Sequence, residues 1–205
     1  MKIGLVNTNA ANIFSVAKAV ERIGASPLLI DTPNQLKLVK KIIVPGVGHF
    51  KTGMKKLSSA NWSDSLLEYT NCSSNYVLGI CLGMQMLFEK SDESNETHGL
   101  ALLKGQIRAM NTRTTLKVPH VGWASIEDTK WQNPLTNGIN DDDRFYFLHS
   151  YYLPETQDLT IARSVYGEIT FSSVISNGTN IFGTQFHPEK SRNAGERLLS
   201  NFQSL

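Results

Sequence analysis

Residues 76–90 read Tyr76-Val77-Leu78-Gly79-Ile80-Cys81-Leu82-Gly83-Met84-Gln85-Met86-Leu87-Phe88-Glu89-Lys90. Tyr76 to Ile80 is a short apolar run of strand character, and Leu82 to Lys90 holds helix formers with almost no breaker. The spacing therefore predicts a strand that turns straight into a helix at Cys81. Gly79 and Gly83 flank that turn in the pattern glycine, any, nucleophile, any, glycine, which permits a sharp elbow that points the central side chain out of a sheet. A thiol in that position lies at the positive end of a helix dipole, which favours thiolate over thiol. A buried core cysteine is the competing reading of the same five residues.

On the N-terminal side, Ile3 to Val6, Leu28 to Ile30 and Lys41 to Val44 read as further strands. Between the first two, Ile13, Val16, Ala17, Val20 and Ile23 recur at helical spacing within Asn12 to Ile23, with Gly24 as the stop. This rhythm predicts βαβ units and an α/β fold, a parallel sheet covered on both faces. The polar run Ser91 to His98 reads as a loop after the fourth helix. From Gly105 onward the texture changes to strands separated by turn signals at Asn133-Pro134, Asn137-Gly138 and Asn177-Gly178. The last of these joins Ser172 to Ser176 and Asn180 to Thr184 as a hairpin, and Arg192 to Phe202 closes the chain as a helix.

The 205 residues suffice for one well-filled core, so residues 1–205 are expected to form a single domain. Lys and Arg number 20 against 18 Asp and Glu, and a net charge of +2 gives no electrostatic case for nucleic acid or an anionic membrane surface. The N-terminal apolar run is too short for a secretory signal, and no stretch approaches the length of a membrane span. A cytosolic protein is expected. Of its two cysteines, Cys72 lies in the polar stretch Tyr69 to Asn75, and a reducing compartment disfavours pairing it with Cys81. No clustered His and Cys ligand set suggests a metal, and no cofactor is expected.

A thiolate that attacks an amide needs a proton shuttle, commonly a histidine held in one tautomer by a carboxylate. His187-Pro188-Glu189 supplies both, and Ile181 to Gln185 before it reads as a strand delivering His187 to the C-terminal edge of the sheet. Alone, the segment reads equally as a surface turn; beside the elbow it reads as a catalytic pair. Val44-Pro45-Gly46-Val47-Gly48 is a glycine-rich turn after a strand, able to aim one backbone N–H at a developing oxyanion, with the N–H of Leu82 as a second donor. Taken singly, it is also a tight β-to-α turn.

Three segments in this order, PGVGHF, GICLGMQ and QFHPEKS, resemble the class I (triad) glutamine amidotransferases. With NTNAANIFSV, PHVGW and FYFLHSYYLP, the likeness covers nearly the whole chain. It narrows to the glutaminase subunits of imidazole glycerol phosphate synthases, of histidine biosynthesis. The resemblance implies a flavodoxin-like three-layer sandwich with a mostly parallel central sheet. It implies a triad of Cys81 as nucleophile, His187 as general base and acid and Glu189 as its orienter, with Val47 and Leu82 forming the oxyanion hole after a peptide flip in the PGVG turn. Gln85 and Glu93 would hold the amino-acid end of L-glutamine, with Gly48 and the backbone of His149, Ser150 and Tyr151 completing the pocket. A carboxylate at 93 suits an ammonium group.

The resemblance further implies a heterodimer with a (β/α)₈-barrel cyclase, which receives the ammonia and makes imidazole glycerol phosphate and an aminoimidazole carboxamide ribotide. The partner surface is expected to ring the mouth of the site and to include Asn12, His120, Trp123 and Lys190. Two departures fall in regions that the family turns toward its partner: Asn7-Thr8-Asn9-Ala10-Ala11-Asn12 keeps only the final Asn of the usual Asp-Tyr-Gly-x-Gly-Asn, and Ala124 stands where an Asn often follows Gly-Trp. A paralogous amidotransferase feeding nucleotide-sugar or surface-polysaccharide synthesis would share these motifs.

Overall fold

Asn12 caps the first helix: its side-chain oxygen accepts the Ser15 N–H at 3.3 Å. That helix, α1 (Ile13–Arg22), follows strand β1 (Lys2–Val6) and ends at Gly24, whose φ of +79° suits a residue without a Cβ. The computed structural model describes residues 1–8, 12–58, 62–110, 117–128, 133–156 and 158–205. The departure at Asn9 to Ala11 lies outside them. There follow β2 (Ser26–Ile30), β3 (Lys41–Gly46), α2 (Phe50–Leu57), α3 (Trp62–Asn71), β4 (Tyr76–Cys81), α4 (Leu82–Met86), β5 (Lys90–Ser91) and β6 (Gln106–Ala109). The second half holds β7 (His120–Ala124), β8 (Glu127–Asp128), β9 (Phe145–His149), β10 (Tyr151–Tyr152), β11 (Thr160–Tyr166), β12 (Ile169–Ser176), β13 (Ile181–Thr184) and α5 (Arg192–Ser204).

The main sheet has the order β2-β1-β3-β4-β13-β12-β11-β8. Pairings are parallel from β2 through β13 and antiparallel beyond, where the hairpin of β12 and β13 begins. Side chains alternate between two cores, as strand geometry requires. Ile3, Leu5, Ile43, Leu78 and Ile80 pack with α1 and α5, whereas Val6, Ile42, Val44 and Val77 pack with α2, α3 and α4. Helices on both faces of a mostly parallel sheet make the expected three layers. Among the described residues no helix is long and apolar enough to cross a membrane.

Three expected boundaries need correction. Helix α4 stops at Met86 and does not reach Lys90. The carbonyls of Met86, Leu87, Phe88 and Glu89 accept instead from the backbone N–H groups of Leu100, Leu103, Ala101 and Gly99, so a returning segment outcompetes the next helical turn. The presumed loop Ser91 to His98 likewise begins inside a strand, because Lys90 and Ser91 pair with Gln106 and Ile107. Strand β3, for its part, continues two residues past Val44, pairing Pro45 with Ile80 and Gly46 with Cys81.

The elbow glycines serve close approach. A Cβ on Gly83 would lie 1.7 Å from the Val44 carbonyl oxygen, and one on Gly79 would lie 2.6 Å from the Met84 Cα. Neither has a positive φ; the left-handed residue is Cys81 itself, at 53°. Gly83→Ala should therefore destabilise the chain by about 3 kcal/mol or more, since backbone must move. Gly24→Ala, with open space around its Cβ, should cost only about 1 kcal/mol for its positive φ. Urea unfolding of both variants decides the matter, and equal losses would remove the close-approach argument.

Candidate active site

Cys81 ends β4 with Gly46 as its neighbour on β3. On the other side Thr184 pairs with Ile80, so Gln185, the next residue of the β13 segment, comes level with Cys81. The elbow thus stands at the C-terminal edge of the sheet, where open α/β sheets bind ligands. A non-glycine residue with positive φ is a local strain that the surrounding contacts must hold. The thiol is buried, with the Leu148 carbonyl at 3.7 Å and the Gln185 side-chain nitrogen at 3.8 Å.

His187 lies two residues beyond Gln185. Its backbone N–H donates to the Tyr146 carbonyl at 2.9 Å, and the Ser191 hydroxyl donates to the His187 carbonyl at 2.6 Å while accepting the Tyr146 N–H at 3.0 Å. These bonds fix the Phe-His-Pro-Glu turn against β9. The His187 Nδ1 is 2.8 Å from the Glu189 Oε1, with both side chains almost wholly buried. A carboxylate can only accept, so Nδ1 carries a proton. The other ring nitrogen, Nε2, is buried without a hydrogen-bond partner among the described residues. Burial alone would push the His187 imidazolium down; the charge of a Cys81 thiolate, its capacity to accept a hydrogen bond, and Glu189 outweigh it and hold the ring at about 10. Because Nε2 makes no hydrogen bond in this geometry, the coupling to Cys81 acts here chiefly through charge.

One cavity of about 210 Å³ is lined by Val47, Gly48, Cys81, Leu82, Gln85, Glu93, Pro119, Leu148, His149, Ser150, Tyr151 and His187. It brings together every candidate catalytic, oxyanion and substrate residue except Glu189, which stands behind His187. It is smaller than the 300–1,000 Å³ or so of drug-sized sites and suits a small polar molecule. Gln85 is buried, and its amide nitrogen donates to the Tyr151 carbonyl at 2.9 Å and to the Gln185 Oε1 at 3.1 Å. The Glu93 Oε2 accepts the Phe50 N–H at 2.7 Å, anchoring the start of α2 beside the Val47-Gly48 turn. Gly48 has a φ of +91°. Pro119, Leu148 and Gln185 had not been singled out. Gln185 alone carried a signal, a polar residue at the end of an apolar strand.

Of the four surface candidates, Asn12, Trp123 and Lys190 are exposed. Trp123 meets Tyr146 edge to face at 5.8 Å, and the Lys190 Nζ stands 5.5 Å over the same Tyr146 ring. His120 does not belong with them. Its ring is buried, stacked between Phe147 and Tyr166, because β7 alternates and turns Val121 and Trp123 outward instead. Val121 pairs with Leu148 and Trp123 with Tyr146, so the outer face of the β7–β9 ribbon is apolar and borders the cavity.

The two buried histidines are linked. His149 Nδ1 donates to the Tyr151 carbonyl at 2.9 Å, and His120 Nδ1 donates to His149 Nε2 at 3.2 Å, an assignment that follows because a carbonyl only accepts. Burial pushes His120 down to about 4 and His149 down to about 3. The unfolded chain protonates these rings near pH 6.5 or so. It therefore binds more protons than the fold between there and about pH 4, and stability falls as pH drops, by about 1.4 kcal/mol per pH unit for each ring. His187 acts oppositely: raised to about 10, it contributes stability at low pH that is lost as pH rises toward that value. Urea titrations across the acid window should show the decline in the parent and a flatter one in His120→Phe, which keeps the stack; an unchanged slope would contradict the assignment.

The class-I glutamine amidotransferase family model matches residues 6–204. The chain is 40% identical over 203 residues to the imidazole glycerol phosphate synthase subunit HisH 1 of Campylobacter jejuni, covering 99% of this chain and 100% of that one. It is 39% identical to the corresponding subunit HisH of Methanosarcina acetivorans, over 100% of this chain and 98% of the relative. A crystal structure of a glutamine amidotransferase superposes with a TM-score of 0.77 at 18% identity, covering 98% and 97% of the two chains, which speaks to the fold alone. With a match across almost its full length, the chain belongs to the class-I glutamine amidotransferase family.

Proposed function

We propose that this chain is one glutaminase domain, residues 1–205, serving as the ammonia-supplying subunit of an imidazole glycerol phosphate synthase in the cytosol. The observation that carries the reading is that a thiol at the end of β4 and a carboxylate-held imidazole after β13 open on one small cavity. The family and the full-length relatives support it. The Cys81 Sγ attacks the side-chain carbonyl carbon of L-glutamine, and the charge that moves to oxygen is held by backbone N–H groups of Leu82 and Val47. His187 delivers its Nε2 proton to the leaving nitrogen, so ammonia departs and a γ-glutamyl thioester remains. His187 then takes a proton from water, whose oxygen displaces the sulphur and releases glutamate. Glu189 keeps the imidazole in the required tautomer throughout. Gln85, Glu93, Gly48 and the 149–151 wall hold the amino-acid end.

Ammonia released into water would become ammonium and lose its nucleophilicity, so the cavity mouth needs a cover. A (β/α)₈ cyclase seated on Asn12, Lys190 and the outward face of the β7–β9 ribbon supplies it. Val121, Trp123 and Leu148 offer that partner an exposed apolar strip beside the cavity.

Cys81→Ala should cut glutamine-dependent synthesis by several orders of magnitude while leaving synthesis from ammonium salt at high pH largely intact. Cys72→Ala, at an exposed thiol far from any catalytic group, should match the parent. Assays of the reconstituted complex with each nitrogen donor test the pair, and near-normal glutamine use by Cys81→Ala would end the triad reading. Trp123→Ala should weaken cyclase binding by about tenfold or more, as expected of an aromatic interface anchor. Titration calorimetry showing unchanged affinity would move the interface elsewhere.

A further inference from the structure

The orientation of one buried amide follows from hydrogen-bond polarity alone. The Tyr151 carbonyl can only accept, so the group of Gln85 that meets it is the NH₂. That NH₂ has a second hydrogen, which points to Gln185 and must find an oxygen there, at 3.1 Å. With its Oε1 committed to Gln85, Gln185 turns its own NH₂ toward the Cys81 sulphur at 3.8 Å. The side chain has no freedom to reverse, being wholly buried, and its backbone N–H is held by the Ser173 carbonyl. On the other side of the sulphur, the Leu148 carbonyl accepts from a thiol but faces a thiolate unfavourably. The two neighbours thus favour opposite protonation states.

We propose that Gln185 is a positioning residue for the nucleophile, its amide fixed through Gln85 and Tyr151 so that an N–H always faces Cys81 and favours the thiolate in one rotamer. A donor directed at the charged form stabilises that form. The other titratable groups around the sulphur are His187, with Glu189 behind it on its Nδ1, and Glu93, His149 and Tyr151 across the cavity. They are common to parent and variant.

The inference deepens the glutaminase reading and rests on it, but its test does not use glutamine. In a Cys72→Ala background Cys81 is the sole thiol. Iodoacetamide alkylation of the full chain is followed at pH 7 and at pH 10, with a melting curve for each protein. Gln185→Met, unbranched and of similar length, should slow alkylation about tenfold at pH 7, the scale of losing a hydrogen bond to a charged group. At pH 10, above the ordinary range of a cysteine thiol, the rates should converge to within about twofold. If Met is not tolerated in so buried a place, Gln185→Glu keeps the shape, withdraws the donor and should slow the reaction in the same way. Equal rates at pH 7, or the same slowing at both pH values, would overturn the proposal, the latter by pointing to packing. A parent chain that alkylates as described yet never hydrolyses glutamine with its partner would overturn the glutaminase reading and leave this inference standing.

Discussion

The contact on which the molecule turns is that between the elbow and strand β3. Gly83 sits so close to the Val44 carbonyl that no side chain fits, and Gly46 in turn lies close against Leu82 and the Gly83 nitrogen. This closeness brings the start of α4 down onto the sheet edge, where Cys81 has a left-handed backbone and its thiol stands between the Leu148 carbonyl and the Gln185 amide. Everything catalytic is placed relative to that fixed point. β13 runs parallel beside β4, so the residues just past its end arrive at the same edge. The turn at Val47 follows directly from β3 on the other flank. Three adjacent strands therefore deliver the proposed oxyanion donors, nucleophile and base without any long excursion of chain.

Such a site carries energetic costs that the neighbouring structure offsets. A non-glycine residue at positive φ stores on the order of 1–3 kcal/mol. A buried His and Glu pair gives up hydration that only good geometry recovers. The Ser191 hydroxyl, by bridging the His187 carbonyl and the Tyr146 N–H, fixes the turn that carries His187 and Glu189, and the two apolar cores cover the two faces of the sheet. Exposed ion pairs such as Lys18 with Glu21 contribute little by comparison.

What was legible in the chain follows this division. Local patterns carried the elements whose reasons are local: α1 with its Asn12 cap and Gly24 stop, the hairpin about Asn177-Gly178, and the strand-to-helix turn at Cys81. The triad candidates converge because Cys81 ends β4 while His187 and Glu189 follow three and five residues after the end of β13, the neighbouring strand. Helix α4 was overestimated because helix propensity knows nothing of residues 99–103, which take the carbonyls the helix would have used. Gly79 and Gly83 suggested conformational freedom, whereas their function is to let backbone approach backbone, a fact that only the neighbouring strand reveals. His120 was placed at the surface by its position in a motif, yet strand alternation puts it inward. Gln185 went unremarked because its partners, Gln85 and Cys81, are about a hundred residues away in sequence.

The β7–β9 ribbon joins the two ends of the protein's task. Its outward side chains, Val121, Trp123 and Leu148, face away from the core, while its inward side chains, His120, Phe147 and His149, form the packing behind the cavity wall. Leu148 belongs to both, since its side chain is partly exposed and its carbonyl touches the thiol. His149 in turn bonds the Tyr151 carbonyl, the same oxygen that orients Gln85. A body on the outer face of this ribbon would therefore sit one strand thickness from the Leu148 carbonyl that meets the sulphur and from the histidine pair that meets Tyr151. The ribbon is two-stranded, five residues a side, and stands outside the main sheet. If the partner docks on this ribbon as proposed, coupling between docking and glutamine chemistry needs no long pathway, because the proposed docking surface is the reverse side of the cavity wall.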